Sequence, residues 1–172
     1  MNQDPEWITD WQKNKEAKSA ENKALLKQLS TIPKSRIWPI QAIAHKEVFD
    51  EVDCLACGNC CKSAPALLIQ SDIKRISTHL GINKKSFERT YVIEDINGDK
   101  MLNKIPCSFL QQDNSCAIYE VRPEACRRYP HTDETEYHRR SKLNMANVMI
   151  CPAAYKILDK IASQIDINPS NV

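Results

Sequence analysis

The sequence predicts an α+β fold: short helices, one or two β-hairpins, irregular chain between them, and a helical arm at the N-terminus. Three observations lead there. Apolar residues recur at helical spacing at both ends of the chain, as Trp7, Trp11, Ala17, Leu25 and Leu29 and again as Tyr155, Leu158, Ile161 and Ile165. Two short runs flank Asn97-Gly98, the best hairpin signal present. Four of eight cysteines fall inside "CLACGNCC", Cys54 to Cys61.

The elements follow in chain order. "QDPEWITDWQKNKEAKSAENKALLKQLS" reads as one helix, with Asp4 as its cap and Pro5 at its first position. "IPKSRIWPIQ" carries two prolines and reads as a linker. "LLIQSDIKRISTHLGINKKSFERTYV" predicts two helices. Ser71 caps the first, Gly81 closes it, and Asn83 starts the second; Ile73, Ile76 and Leu80 mark the buried face of the first. "YVIEDINGDKMLNKIP" is the hairpin, and "CSFLQQDNSCAIY" repeats the pattern around Asp113-Asn114. "VRPEACRRYP" predicts a short helix with Pro123 in its first turn, stopped by Pro130. "CPAAYKILDKIASQI" is a terminal amphipathic helix. The expected organisation is an arm and linker over 1–45, a cysteine domain over 46–152, and a helix over 153–172 packing on that domain.

Composition narrows the function. Lys+Arg (24) nearly balances Asp+Glu (22), a net charge of +2 that makes no case for nucleic acid or a membrane surface. No apolar run approaches a membrane span, and "MNQDPEWITDW" lacks the basic start and apolar core of a secretory signal. The expected compartment is therefore the cytoplasm, where clustered cysteines hold metal or do redox work rather than form disulfides. Of three glycines, only Gly81 and Gly98 lie outside the cluster, so no glycine-rich phosphate loop can form. No Ser-His-Asp or Cys-His order and no paired carboxylates stand out.

The cysteines read as ligands. In Cys54-Leu-Ala-Cys57-Gly58 a tight turn points both sulfurs one way, and glycine lets backbone N–H groups aim at sulfur. Extended to Cys60, the spacing also fits an iron–sulfur loop, and Cys151-Pro152 offers a cysteine followed by proline of the kind such loops use. Zinc and an iron–sulfur cluster are equally served by these thiolates. Cys60 and Cys61, being adjacent, are expected to face different partners; a vicinal disulfide would be strained. Eight thiols would complete two four-sulfur sites, or one site plus structural cysteines. The irregular domain would then be completed by its metal. His131 is the one histidine placed to substitute as ligand or to support one. Arg127, Arg128, Arg139, Arg140 and Lys142 form a basic stretch that is either a solvated face, a counterweight to thiolate charge, or a hold on an anionic substrate.

Together "CLACGNCC", "CSFLQQDNSCAIYEVRPEACRRYP" and the later "CP" resemble the cysteine-cluster family named for its CxxCxxCC signature, which includes YkgJ-like proteins and flagellin lysine N-methylases. The resemblance runs from about Cys54 to Pro152. It implies zinc or iron chelation by Cys54, Cys57, Cys60, Cys61, Cys107, Cys116, Cys126 and Cys151, with Glu120, Arg122, Pro123, Arg127 and Pro130 on the surrounding signature. Glu120 and Arg122 are expected to pair and so fix where Cys126 projects. The first reading is a cytoplasmic protein whose partner is a metal ion or cluster. The alternatives are a metal-dependent enzyme modifying a protein substrate, related to flagellin lysine N-methylase, and a thiol redox or metal-chaperone protein exposing Cys60-Cys61. No glycine-rich site for S-adenosylmethionine supports a complete methylase.

Overall fold

The computed structural model describes residues 4–165. In chain order these form α1 (Glu6–Asn14), α2 (Ser19–Leu29), α3 (Lys34–Glu51), α4 (Cys54–Cys57), α5 (Asn59–Ser63), α6 (Gln70–His79), α7 (Lys84–Tyr91), β1 (Val92–Glu94), β2 (Lys100–Leu102), α8 (Glu124–Arg128), α9 (Ser141–Ile150) and α10 (Pro152–Gln164). Single 3-10 turns occur at Tyr119–Val121 and Tyr137–Arg139. The α+β class is as the sequence predicts. The chain divides into two compact units: Cys54–Tyr129, and the residues before it up to Asp53 together with those after it from Pro130. These limits differ from the expected 1–45, 46–152 and 153–172.

The first unit is helical. Its core gathers Trp11, Leu26, Leu29, Ile37, Ala44, Val48, Val148, Ile157, Leu158 and Ile161, with Trp7, Leu25 and Cys151 partly buried against it. Each fully buried aliphatic side chain contributes about 1.5–3 kcal/mol relative to exposure. Pro152 at the first position of α10 loses nothing by lacking an N–H, and Tyr155, Leu158, Ile161 and Ile165 are buried as predicted.

Three expectations are corrected here. The arm is two helices, α1 and α2, not one, and at its start Pro5 holds the cap position with no side-chain cap, so Asp4 does not cap it. The supposed linker "IPKSRIWPIQ" lies largely within α3: Pro33 is its N-cap and Pro39 sits inside. A proline there costs one backbone hydrogen bond, but Ile37, Gln41, Ala44 and Val48 bury one continuous face, which outweighs it. Helix α9 was not foreseen. Its buried face includes Asn144 and Asn147, which donate to the carbonyls of Tyr137 (2.5 Å) and Pro130 (2.8 Å). From α3, Gln41 Nε2 likewise donates to the carbonyls of Thr132 and Glu134. Buried amides thus satisfy the irregular 130–140 segment, whose backbone has no ladder of its own.

The second unit, Cys54–Tyr129, has its own smaller core of Leu68, Ile73, Ile76, Phe87, Leu102, Phe109 and Ile118. Strands β1 and β2 pair antiparallel in the register Val92↔Leu102, Ile93↔Met101 and Glu94↔Lys100, around the predicted Asn97-Gly98 turn. Leu67 bridges to Met101 on the far side of β2. Helix α6 ends at Gly81, whose φ of +67° suits a residue without a side chain, and Asn83 Oδ1 caps α7 by accepting from Ser86 N at 2.9 Å. At the start of α6 the expected cap is corrected: Ile69, not Ser71, holds the cap position, and Asp72 reaches back to Ile69 N. The second predicted hairpin is a turn closed by the single bridge Leu110↔Cys116.

Candidate metal centre

Seven of the eight cysteines lie in Cys54–Tyr129; Cys151 lies in the helical unit. None forms a disulfide. Cys54 and Cys57 bound α4, Cys60 and Cys61 sit in α5, and Gly58 separates the two helices at φ +58°. A left-handed residue at that junction reverses the chain within one position, which is where glycine was expected to tighten the loop. A Cβ on Gly58 would stand 3.1 Å from Asn114 Cβ, so a side chain there would force the Asn114 turn to give by a few tenths of an ångström. Asn114, itself at φ +66°, donates from Nδ2 to the Ala56 carbonyl at 3.1 Å. Two cysteine-bearing segments, 54–61 and 107–116, are thereby joined.

They are joined a second time by Cys107 N, which donates to the Cys61 carbonyl at 2.8 Å. Cys107 and Cys116 pack against the unit's core. The Cys107 sulfur receives a backbone N–H from two residues on, Phe109 N approaching Sγ at 3.5 Å, and the Ile118 amide favours the Cys116 thiolate against burial. Amides turned toward sulfur stabilise thiolate rather than thiol. In the helical unit, Cys151 Sγ accepts from Ala154 N at 3.4 Å and so caps α10.

Electrostatics link four of the thiols. Burial pushes Cys126 up to about 12, helped by Cys61, Cys107 and Cys116, against a modest opposing pull from Arg122. Burial first, then Cys61 and Cys116, raises Cys107; burial and Cys61 raise Cys116. Cys61 runs the other way, lowered to about 7 by a hydrogen bond from Cys60 with help from Lys62, against burial. Sulfurs from residues 61, 107, 116 and 126 therefore lie within one another's electrostatic reach, with Lys62 and Arg122 as the opposing positive charges. Such a half-buried, thiol-only donor set suits a soft, thiophilic cation, zinc or iron. As placed, no three His, Cys, Asp or Glu side chains among the described residues make a group that could hold a metal ion.

Cys60 and Cys61, expected to face different partners, are joined by that hydrogen bond, and Cys61 also couples to Cys107, Cys116 and Cys126. Glu120 and Arg122 do not pair. Arg122 stacks over the Tyr119 ring at 3.8 Å and donates to the Tyr119 carbonyl. Arg127 reaches back to the carbonyls of Glu120 and Arg122. His131 pairs with Glu134 at 2.8 Å in the helical unit, and Arg139 and Arg140 pair with Glu136 and Glu134. Much of the basic stretch is thus spent on nearby acids and carbonyls.

What sequence reasoning missed is the support of Cys126. Asp72, 1% exposed, and Arg75 of α6 bind the backbone at the start of α8. The pair is separated from α8 by about fifty residues, so no local spacing announces it. The available signal was Asp72 itself, an acid at i−3 from an arginine on the apolar-flanked face of α6.

No curated protein and no solved structure matches the chain. No helix among the described residues is long and apolar enough to cross a membrane. Residues 53–145, more than half of the chain and seven of its cysteines but not Cys151, match the family described as "CxxCxxCC: Putative zinc- or iron-chelating domain". With its paired-cysteine loop, its amide-supported thiols and this match, the chain belongs to the CxxCxxCC family of zinc- or iron-chelating domains.

Proposed function

We propose that the protein binds zinc or an iron–sulfur centre through the thiolates of the Cys54–Tyr129 unit, with Cys61, Cys107, Cys116 and Cys126 as one four-sulfur set. The support for this is the mutual electrostatic influence of those four, which come from separate segments, with Cys107 receiving the Phe109 N–H on sulfur. Cys54, Cys57 and Cys60, on the adjoining loop, supply the thiolates of a further site. Zinc bound by four thiolates is closed and structural; an iron–sulfur centre would add electron transfer. The protein's own residues do the rest. Gly58 and Asn114 hold the loop against the Cys116 turn, Cys61 and Cys107 are tied through the backbone, and the Leu68–Ile118 core fixes the segment ends. Ligation draws the sulfurs in from their positions as thiols.

The test is anaerobic purification followed by iron, zinc and acid-labile sulfide counts per chain. At least one metal per chain is expected, and Cys126→Ser should remove most of it while Ser115→Ala leaves it intact. Full metal content in Cys61→Ser, Cys107→Ser, Cys116→Ser and Cys126→Ser alike would refute the set. A second reading has one specific support: the hydrogen-bonded Cys60–Cys61 pair, which would serve thiol redox exchange or metal transfer. It predicts metal-free, folded protein whose Cys61 alkylates first.

A further inference from the structure

We propose that Asp72 and Arg75 form a latch that positions Cys126 for ligation. The inference rests on the metal-binding reading above and goes beyond it by naming residues far from any cysteine in sequence. Asp72 is buried, and every partner of its carboxylate bears on this role. Oδ2 accepts from Ile69 N at 3.1 Å, which anchors the acid at the head of α6. Oδ1 accepts from Arg75 Nη2 at 2.6 Å and from Glu124 N at 3.2 Å. Arg75 extends the same reach, donating from Nη2 to the Arg122 carbonyl at 2.8 Å and from Nε toward the Val121 carbonyl at 3.4 Å.

Glu124 opens α8, and Cys126 stands two residues later. The first amides of a helix have no partner within it, and α8 has only five residues, too short to hold its own direction. Its orientation must come from outside. Pro123, the cap residue, has no N–H to contribute and shows no side-chain cap bond, so the Glu124 amide is satisfied by Asp72 instead. On the other side, Arg127 turns back to the Arg122 carbonyl at 3.2 Å, the oxygen that Arg75 also holds. Cys126 thus sits on one turn of helix held at its start by α6 and tied back to the same Arg122 carbonyl through Arg127, with the α6 contacts anchored in the apolar core. Ile73 and Ile76, on the same helix, are fully buried in that core. A buried carboxylate that has given its acceptors to one arginine and two amides is a rigid support.

A latch and a plain stabilising contact predict different results. The experiment titrates cobalt(II), a spectroscopic stand-in for zinc, into the reduced full-length chain; its sulfur-to-cobalt absorption grows with the number of thiolates bound. Asp72→Ala is expected to weaken cobalt binding about 10- to 100-fold, as loss of support behind a metal ligand does elsewhere. It should also lower the band to the level of Cys126→Ser. In a Cys126→Ser background the same change should cost little more, because the residue it positions is gone. Asp72→Asn, which keeps an oxygen for Glu124 N and loses the charge facing Arg75, should fall between; it and Arg75→Gln carry the test if Asp72→Ala does not fold. Unaltered cobalt affinity and band in these variants, or losses that simply add to that of Cys126→Ser, would overturn the latch while leaving metal binding standing. A wild-type chain with no sulfur-to-cobalt band would sink the metal-binding reading itself, and the latch with it.

Discussion

The two units keep their shape by different means. In the helical unit the ordering comes from apolar area: α3 and α10 bury whole faces, and Ile37, Ala44, Val48, Ile157, Leu158 and Ile161 are fully excluded from solvent. In the Cys54–Tyr129 unit seven buried side chains make up the core, strands run to three residues, and α4, α5 and α8 span one turn or little more. What holds the second unit is point contact. Asn114 reaches the Ala56 carbonyl, Cys107 N the Cys61 carbonyl, and Asp72 the Glu124 amide. A region built on area loses stability in proportion to the atoms removed. One built on point contacts loses geometry when any single contact goes. Seven of the eight sulfurs sit in the second kind of region, where ligation would complete what packing leaves unfinished.

That contrast can be broken most forcefully on the packing side. Leu158→Ala removes a fully buried side chain from the helical core and should cost about 2–5 kcal/mol of unfolding free energy. Denaturant melts with and without added zinc check it, and the loss should be the same in both. On the contact side, Gly58→Ala puts a side chain at a left-handed residue, and its Cβ would meet Asn114 at 3.1 Å. The backbone term alone is about 1–2 kcal/mol. Unlike Leu158→Ala, this change should also lower metal content per chain, since it separates the first cysteine loop from the Cys116 turn. A Gly58→Ala protein with full metal would make the contact incidental.

The smallest effect sharpens the comparison through pH. Burial lowers the His45 pKa from its ordinary 6.5, with Asp133 pulling weakly the other way, and the ring meets Thr132 Oγ1 at 2.9 Å and packs on Phe49. A depressed histidine pKa means the unfolded chain takes up the proton more readily than the folded one. Its contribution is therefore fully present above about pH 6.5 and is lost as pH falls below that value toward the folded pKa. The helical unit should melt earlier at pH 5.5 than at pH 7.5, and His45→Gln should flatten that dependence. Hydrogen exchange resolved over 4–53 and 130–165 separates this response from protonation of the cysteine unit's thiols.

Legibility in the sequence followed the same divide. Local chemistry was readable: the Asn97-Gly98 turn, Gly81 at the end of α6, Asn83 as a cap and Pro152 at the head of α10 each act within four residues. Grouping of the cysteines was readable as a composition and spacing signal, but not the link of Cys61 to Cys107, Cys116 and Cys126, which depends on chain folding. Prolines misled at α3, where Pro39 announces a break that a buried face overrides. The break between α1 and α2 went unseen because Lys15–Lys18 is made of residues that favour helix. Helix α9 hid behind Asn144 and Asn147, which count as polar in any periodicity yet are buried to satisfy carbonyls. The Asp72 contact to α8 hid for a related reason: its meaning lies in a partner about fifty positions away.

One feature of the chain's path reaches further. The helical unit is interrupted: it leaves off at Asp53 and resumes at Pro130, with the whole cysteine unit threaded between. Bringing the two parts of its core together requires closing that intervening segment, and closure entropy grows with the length of flexible chain in the gap. A cysteine unit already drawn tight by its ligand spans the gap as a short tether, whereas a slack one behaves as a long floppy loop. Availability of a metal would then govern how fast the helical core, which holds none of the seven cysteines of that unit, can assemble.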